Sequence, residues 1–472
     1  MSNPNKTRMA IASSSSQVDA VRLRRRRQAQ WILIGAGLIA ASLISATAGA
    51  LLAFSLSGTP LLQRNLTPEE SSVFAQDDLV SGGFRIRLPR LTRSVNILVM
   101  GTSVLSSDVN NPPPETQNLG YHAQVDALNG LTDTILFLRF DPLKEELVVL
   151  SVPRDTRTFV PGLGMTKINA ANVQGGPALT AQVVSELLGN VGIDRYVVMN
   201  VQGVEKLVDA LGGVTVYVPQ DMKYRDDSQR LYIDLNAGEQ RLNGNQALQF
   251  LRFRYDNYGD IGRIQRQQIL LRALAEQALN PRTIARLPDI SNVIQSHIDT
   301  NLSMEELLAL VGFASKTDRS KVEMLMLPGD FSTAEYDASY WLPQYEAIDT
   351  LVNNYLSSGN GGIVVKGNTS NGENPTDSDA NTLRITIQNS TPESGAGDKV
   401  ADLLYDRGYG NLSLGEDRAE NLQVTRIIAQ TGNRNAANAI REILQIGEVR
   451  IESTGDLGSD ITIQVGNDWL QR

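Results

Sequence analysis

No charge interrupts the chain between Trp31 and Leu56, and about 20 such residues in a helix suffice to cross the hydrocarbon core of a bilayer. That run divides everything else. Arg22 and Arg24 to Arg27 stand before it, whereas Arg64 and then Glu69, Glu70, Asp77 and Asp78 follow it. The excess of cations near the first flank assigns residues 1–30 to a basic cytoplasmic tail and residues 31–56 to a single transmembrane helix. A stalk over 57–93 and the main body then lie on the extracytoplasmic, periplasmic side. A cleaved signal peptide is the competing reading, since Ala46-Thr-Ala48 resembles a processing site. Cutting there leaves Leu51-Leu-Ala-Phe-Ser-Leu56 as an apolar new terminus, which favours the anchor.

The net charge is −9, although residues 1–30 hold seven basic groups against one acid, so the body is more acidic still. Such a body repels nucleic acid, and no nucleic-acid partner is expected. There is no cysteine and there are only two histidines, His122 and His297. Disulfides, thiolate chemistry and multi-histidine metal sites are thereby excluded.

Beyond the stalk, short apolar runs alternate with helical stretches. Val95-Asn-Ile-Leu-Val-Met100 reads as a buried strand ending at Gly101. Thr134–Phe140 and Leu147–Val152 flank a connection too short for a parallel crossover, so they pair antiparallel. A helix opens at Gly176-Pro177, another spans Val204–Leu211 and stops at Gly212-Gly213, and Val214–Val218 is a strand. The region from Arg263 to about Tyr355 is mainly helical, with Ser303-Met-Glu-Glu306 as a capping box and one strand over Lys321–Leu327. The pattern predicts an α/β sandwich over 94–356. A linker rich in Gly, Ser, Asn and Asp over 357–382 leads to a small α+β module over 383–472.

Four arginines crowd one segment: Arg252, Arg254, Arg263 and Arg266. Read as a strand, Gln249–Tyr255 sets Arg252 and Arg254 on one face. Arg263 falls at an expected helix start, with Arg266 and Gln267 at neighbouring helical positions. Backbone N–H groups of a helix amino end together with guanidinium forks suit a phosphate. The competing reading is a surface ion-pair cluster with Asp256 and Asp260. Arg154 and Asp155 stand where the strand Leu147–Val152 leaves the sheet, Pro153 stopping the ladder there, and antiparallel pairing puts Asp133 beside Arg154. Asp133 is then either a partner of that arginine or a Mg²⁺ ligand beside a pyrophosphate. Lys167, in a loop, adds a point charge to phosphate or is merely solvated. No Walker loop, kinase motif or Gly-x-Ser-x-Gly elbow is present.

Taken together, Val95-Asn-Ile-Leu-Val-Met-Gly101, Leu131-Thr-Asp-Thr134, Ser151-Val-Pro-Arg-Asp-Thr156, Lys167-Ile-Asn-Ala-Ala171, Gly175-Gly-Pro177, Val208-Asp-Ala-Leu-Gly-Gly213, Leu242-Asn-Gly-Asn-Gln-Ala-Leu248, Arg252-Phe-Arg254 and Gly262-Arg-Ile-Gln-Arg-Gln-Gln268 resemble the LytR-CpsA-Psr (LCP) family of envelope phosphotransferases. The last module, closing with Val465-Gly-Asn-Asp-Trp469, resembles the LytR C-terminal domain. The resemblance implies an α/β/α sandwich around a mixed sheet, and transfer of a glycopolymer from a polyprenyl-pyrophosphate carrier to peptidoglycan by phosphodiester formation. It also implies Mg²⁺ on Asp133 and pyrophosphate on Arg154, Arg252, Arg254, Arg263 and Gln267, with Lys167 and Asp155 nearby. Two positions depart from the family pattern. Ser103 stands where an aspartate is usual and Leu131 where an arginine is usual, with Asp108 the candidate substitute carboxylate. Those departures favour one rival reading, a non-catalytic binder of polyprenyl phosphate or wall polymer; a pyrophosphate hydrolase is a further alternative.

Overall fold

The computed structural model describes residues 66–74, 81–82, 89–102, 130–226, 231–253 and 259–278, and 286–357 and 382–472 apart from scattered positions. The basic tail, the apolar run Trp31–Leu56, Ser103, Asp108 and Arg254 lie outside them. Among the described residues no helix is long and apolar enough to cross a membrane.

Strands β1 (Val95–Thr102), β2 (Thr132–Asp141) and β3 (Glu146–Val152) are successive antiparallel neighbours. The β2–β3 turn is held by Asp141, whose Oδ1 accepts from the N–H groups of Leu143 and Lys144 at 3.0 and 3.2 Å. Next come a hairpin of β4 (Arg157–Val160) and β5 (Gly164–Lys167), helix α1 (Ala171–Leu187), strand β6 (Arg195–Asn200) and helix α2 (Val201–Leu211). Asn200 caps α2 by accepting from the Gly203 N–H at 2.7 Å, and Gly212, at φ 83°, ends it in the left-handed region that favours glycine. The chain continues through β7 (Val214–Val218), β8 (Met222–Asp226), β9 (Leu231–Leu235), β10 (Gly238–Leu242) and helices α3 (Gly244–Arg252) and α4 (Gly259–Ala278). Then follow β11 (Ile298–Thr300), α5 (Met304–Ala314), β12 (Val322–Met326), β13 (Gly329–Phe331), β14 (Trp341–Pro343) and α6 (Tyr345–Leu351).

The central sheet runs β11-β6-β1-β2-β3-β12. β6 on β1 and β12 on β3 are parallel, and the other pairs antiparallel. Both faces are buried, and the two-residue strand period sorts the side chains between them. Leu98, Met100, Ile135, Phe137, Leu150 and Val152 pack with Ala178, Ala181 and Val184 of α1. Val95, Ile97 and Phe140 meet Leu302 and Leu310 on the opposite face, and Leu136, Val149 and Met324 meet Leu271 of α4 there. This is the α/β sandwich that the strand and helix alternation predicts, with the mixed sheet between helix layers that the family resemblance implies.

Three expectations are corrected. The segment ending at Arg252 is helical, not extended. Asn243 and Gln246 form a capping box, at 2.9 and 3.1 Å, and Ala247 and Phe250 face a core. The strand parity that set Arg252 and Arg254 on one face therefore fails. Helix α4 is already formed at Gly259, so Arg263 lies inside it and not at its start. The region after Arg263 also holds β11, β13 and β14, strands of three residues each that carry too little periodicity to read.

Helix α1 is broken where Gly175-Gly-Pro177 falls. Gly176 has φ 65° and ψ −159°, a region essentially reserved for glycine, so Pro177 effectively begins a second helix. Gly176→Ala is expected to destabilise the protein by about 1–3 kcal/mol, read as a lowered unfolding midpoint.

Residues 382–472 carry a second sheet. Its strands are β15 (Ile385–Asn389), β16 (Leu412–Leu414), β17 (Arg426–Ala429), β18 (Glu448–Ile451) and β19 (Ile461–Val465), in the order β16-β15-β19-β17-β18. Helix α7 (Ala396–Tyr405) links the parallel pair β15 and β16, and α8 (Arg434–Leu444) links the parallel pair β17 and β18. The module thus contains two βαβ units, because each parallel pair needs a crossover.

The two sheets meet edge to edge. A parallel bridge joins Met324 of β12 to Glu452, just past β18, and the Ser453 N–H donates to the Met324 carbonyl at 2.9 Å. Unpaired edges are thereby covered. Arg272 of α4 pairs with Glu452, and Arg434 of α8 pairs with Glu323 of β12. Tyr355 donates to the Gly432 carbonyl, and burial pushes its hydroxyl up to about 12, so it remains a donor at ordinary pH.

Candidate functional site

The site lies where β1 and β3 end and β2 begins. Gly101 faces Thr134, and a Cβ at Gly101 would stand 3.1 Å from the Thr134 Cβ, so glycine allows this close approach of the two strands. The register of β2 on β3, with Ile135 opposite Val152, carries Asp133 and Arg154 to the same corner. Arg154 Nη1 donates to Asp133 Oδ1 at 2.7 Å.

The pair is the start of a chain of alternating charge. Arg154 Nε reaches Asp155 Oδ2 at 3.3 Å, and Asp155 Oδ1 holds Lys167 Nζ at 2.8 Å. The β4–β5 hairpin makes the last contact possible, because its register sets Arg157 opposite Lys167 and so returns Lys167 to the residues just after β3. Lys167 also lies 5.7 Å from the Tyr340 ring centroid, and Arg157 lies 5.5 and 5.8 Å from the rings of Tyr336 and Tyr340. The four side chains from Asp133 to Lys167 are between 16% and 31% exposed, enough for a ligand to reach.

Three consecutive residues of α4 organise this corner. Arg266, buried, donates to the Phe253 carbonyl. Gln267 Nε2 donates to Thr134 Oγ1 at 2.9 Å. Gln268 Nε2 donates to Ser151 Oγ at 3.3 Å. One helical turn therefore ties the end of α3, the start of β2 and the end of β3 together, beside Arg252, Asp133 and Arg154 respectively. Replacing Gln267 by leucine should lower stability by only about 0.5–1.5 kcal/mol while reducing any activity of the site more than that loss accounts for, as paired unfolding and turnover assays would reveal.

The structure thus brings together Asp133, Arg154, Asp155, Lys167 and Gln267. Arg252 is half-buried and ends α3, where its charge complements the helix carboxyl end. Arg254 and the side chain of Arg263 lie outside the described residues. Arg266 anchors helix to helix and is not a free anion donor. Leu131 is 47% exposed just ahead of β2. Sequence reasoning missed Thr134, Ser151 and Gln268, although all three stand inside the motifs that carry the family resemblance. It also missed Trp341, whose backbone N–H donates to the Asp155 carbonyl at 2.9 Å.

Among the described residues, no group of three or more His, Cys, Asp or Glu side chains could hold a metal ion by itself. Asp133 and Asp155 are the carboxylates present. Mg²⁺ is commonly held by one or two carboxylates plus substrate phosphates and water, which this donor set fits.

A mixed sheet between helices, with a carboxylate–guanidinium pair at the strand ends and a second βαβ module docked on its edge, defines a two-module α/β architecture. The chain belongs to the LytR_cpsA_psr family, matched over residues 69–356. Residues 382–469 match the family described as LytR cell envelope-related transcriptional attenuator. The regulatory protein MsrR of Staphylococcus aureus is 35% identical over 173 residues, 36% of this chain and 51% of that protein. The polyisoprenyl-teichoic acid-peptidoglycan teichoic acid transferase TagV of Bacillus subtilis is 34% identical over 207 residues, 42% of this chain and 52% of that protein. The crystal structure of B. subtilis TagV aligns at 27% identity with a TM-score of 0.45, covering 56% of this chain and 98% of that one. The chain spans about half the length of these curated relatives.

Proposed function

We propose that this protein transfers a glycopolymer from a polyprenyl-pyrophosphate carrier to peptidoglycan, forming a phosphodiester, at the outer face of the cell membrane. The observation that carries the reading is the Asp133–Arg154 pair at 2.7 Å, tied into one corner with Lys167 and Gln267. Membership of the LytR_cpsA_psr family and the transferase name of TagV support it.

In this reading Arg154 is held ready by two carboxylates. Asp133 and Asp155 offset the charges of Arg154 and Lys167, so the four described groups sum to zero before substrate arrives. A diphosphate competes with the carboxylates for Arg154, and Arg252, Arg254 and Arg263 supply the remaining positive charge. Asp133 would hold Mg²⁺, which when bound would neutralise phosphate charge. The acceptor sugar hydroxyl attacks the phosphorus that bears the glycopolymer. A new P–O bond to the acceptor forms, the bond to the bridging oxygen breaks, polyprenyl phosphate leaves, and the hydroxyl proton passes to solvent. Charge grows on the transferred group in the transition state, and fixed guanidinium donors stabilise it there. Both oxygens of Asp155 are engaged by cations, which makes it an organiser of Arg154 and Lys167.

The test is the full-length protein in detergent micelles with polyprenyl-pyrophosphate-linked glycopolymer, peptidoglycan fragments and Mg²⁺. Linked product should accumulate with equal release of polyprenyl phosphate. Retention of polyprenyl phosphate without turnover would instead favour the binding protein, the reading that Ser103 and Leu131 support. Free glycopolymer phosphate in place of linked product would indicate a hydrolase.

A further inference from the structure

A cavity of about 1290 Å³ lies between the central-sheet domain and the C-terminal module. Small-molecule sites are usually about 300–1,000 Å³, so this one has room for a segment of chain. One wall comes from β13, β14 and α6, the other from the turn before α8 and the loop after Ser453.

Its lining combines aromatic and amide groups with the charged Lys144, Glu146, Asp330, Arg384 and Arg434. Phe331, 47% exposed, stands T-shaped to Trp341 with ring centroids 5.2 Å apart, and the Trp341 indole is fixed by donating to the Leu327 carbonyl at 3.1 Å. Asn354 and Asn435, one from each wall, are exposed and their amides have no hydrogen-bond partner among the described residues. Arg384 is engaged by Asp460 at 2.9 Å, Arg434 is paired with Glu323, and Lys144 lines the cavity together with the acids Glu146 and Asp330. A site of this kind does not suit a polyanion. Aromatic faces meet the C–H faces of sugar rings, and carboxamides both donate to and accept from hydroxyl and acetamido groups.

Its position is equally informative. Trp341 is bridged to Thr156 and donates to the Asp155 carbonyl, so the aromatic wall and the Asp155–Lys167 pair share one strand junction.

We infer that the interdomain cavity is a binding site for a neutral glycan strand, the acceptor side of the reaction. The assignment to the acceptor rests on the transferase reading, whereas the binding itself does not. The probe is the β-linked tetramer of N-acetylglucosamine, titrated calorimetrically into the full-length protein in detergent micelles. Saturable binding is expected, weakened about tenfold or more by Phe331→Ala, which removes an aromatic face, and by Asn354→Trp, which fills the space. Lys223→Ala, at an exposed residue outside the cavity lining, should leave it unchanged. No binding of the tetramer, equal affinity in both cavity variants, or preference for a poly(glycerol phosphate) probe would each overturn the inference. Tetramer binding without any transfer sinks only the transferase reading, and transfer without tetramer binding sinks only this one.

Discussion

On the transferase reading, Arg154→Ala is expected to lower glycopolymer transfer by about a hundredfold or more, the scale set by losing one preorganised donor worth about 2.7–4 kcal/mol in the transition state. The expectation follows from geometry. Arg154 contacts both carboxylates of the corner, through Nη1 to Asp133 and Nε to Asp155. Arg154→Lys should recover little, since a single ammonium cannot make both contacts in the fixed directions of the guanidinium fork. Because the alanine variant leaves Asp133 and Asp155 without their shared cation, its fold must be checked by thermal unfolding alongside activity. A folded Arg154→Ala protein with full transfer would end the proposed role. Asp133→Asn provides the complementary reading: it keeps the shape of the pair, and its transfer should respond to added Mg²⁺ differently from that of the parent.

That corner was readable because it depends on short-range rules. The β2–β3 connection is too short for a crossover, so antiparallel register followed, and with it the meeting of Asp133 and Arg154. The role of Lys167 was not readable. It depends on a hairpin whose turn uses positive φ at Gly162 and Gly164, and only the resulting register returns Lys167 to Asp155. Around Arg252 the local alternation Leu-Arg-Phe-Arg imitates a strand, and the stronger signal was upstream, in the Asn243 and Gln246 capping box. Gly262 looked like a helix boundary, but a glycine inside a helix costs only about 1 kcal/mol relative to alanine, and packing across α4 outweighs it. The edge-to-edge meeting of the two sheets, which creates the interdomain cavity, depends on β12 and β18 approaching from distant parts of the chain. No local pattern encodes that.

The largest loss of stability is expected at the other end of the sheet. Arg195 and Glu306 are both buried, with Nε to Oε1 at 3.1 Å and Nη2 to Oε1 at 2.7 Å. Glu306 Oε2 also accepts from the Ser303 N–H at 2.8 Å, while Ser303 Oγ accepts from the Glu306 N–H at 3.1 Å, completing the capping box of α5. Glu306→Ala leaves a guanidinium inside the protein without its carboxylate, which typically costs about 3–5 kcal/mol. The unfolding midpoint should fall by on the order of 10 °C. Replacing both partners, Arg195→Met with Glu306→Leu, should cost less than the single change, because no buried charge is then left uncompensated. Equal losses in the single and double variants would mean that packing, and not charge pairing, sets the effect. Arg195 begins β6, which runs parallel to β1, whereas the Asp133–Arg154 corner lies where β1 ends. The stability change is therefore separable from the chemistry: below its lowered midpoint, Glu306→Ala should transfer as fast per folded molecule as the parent, and a turnover defect in the folded fraction would show that the two ends of the sheet are coupled.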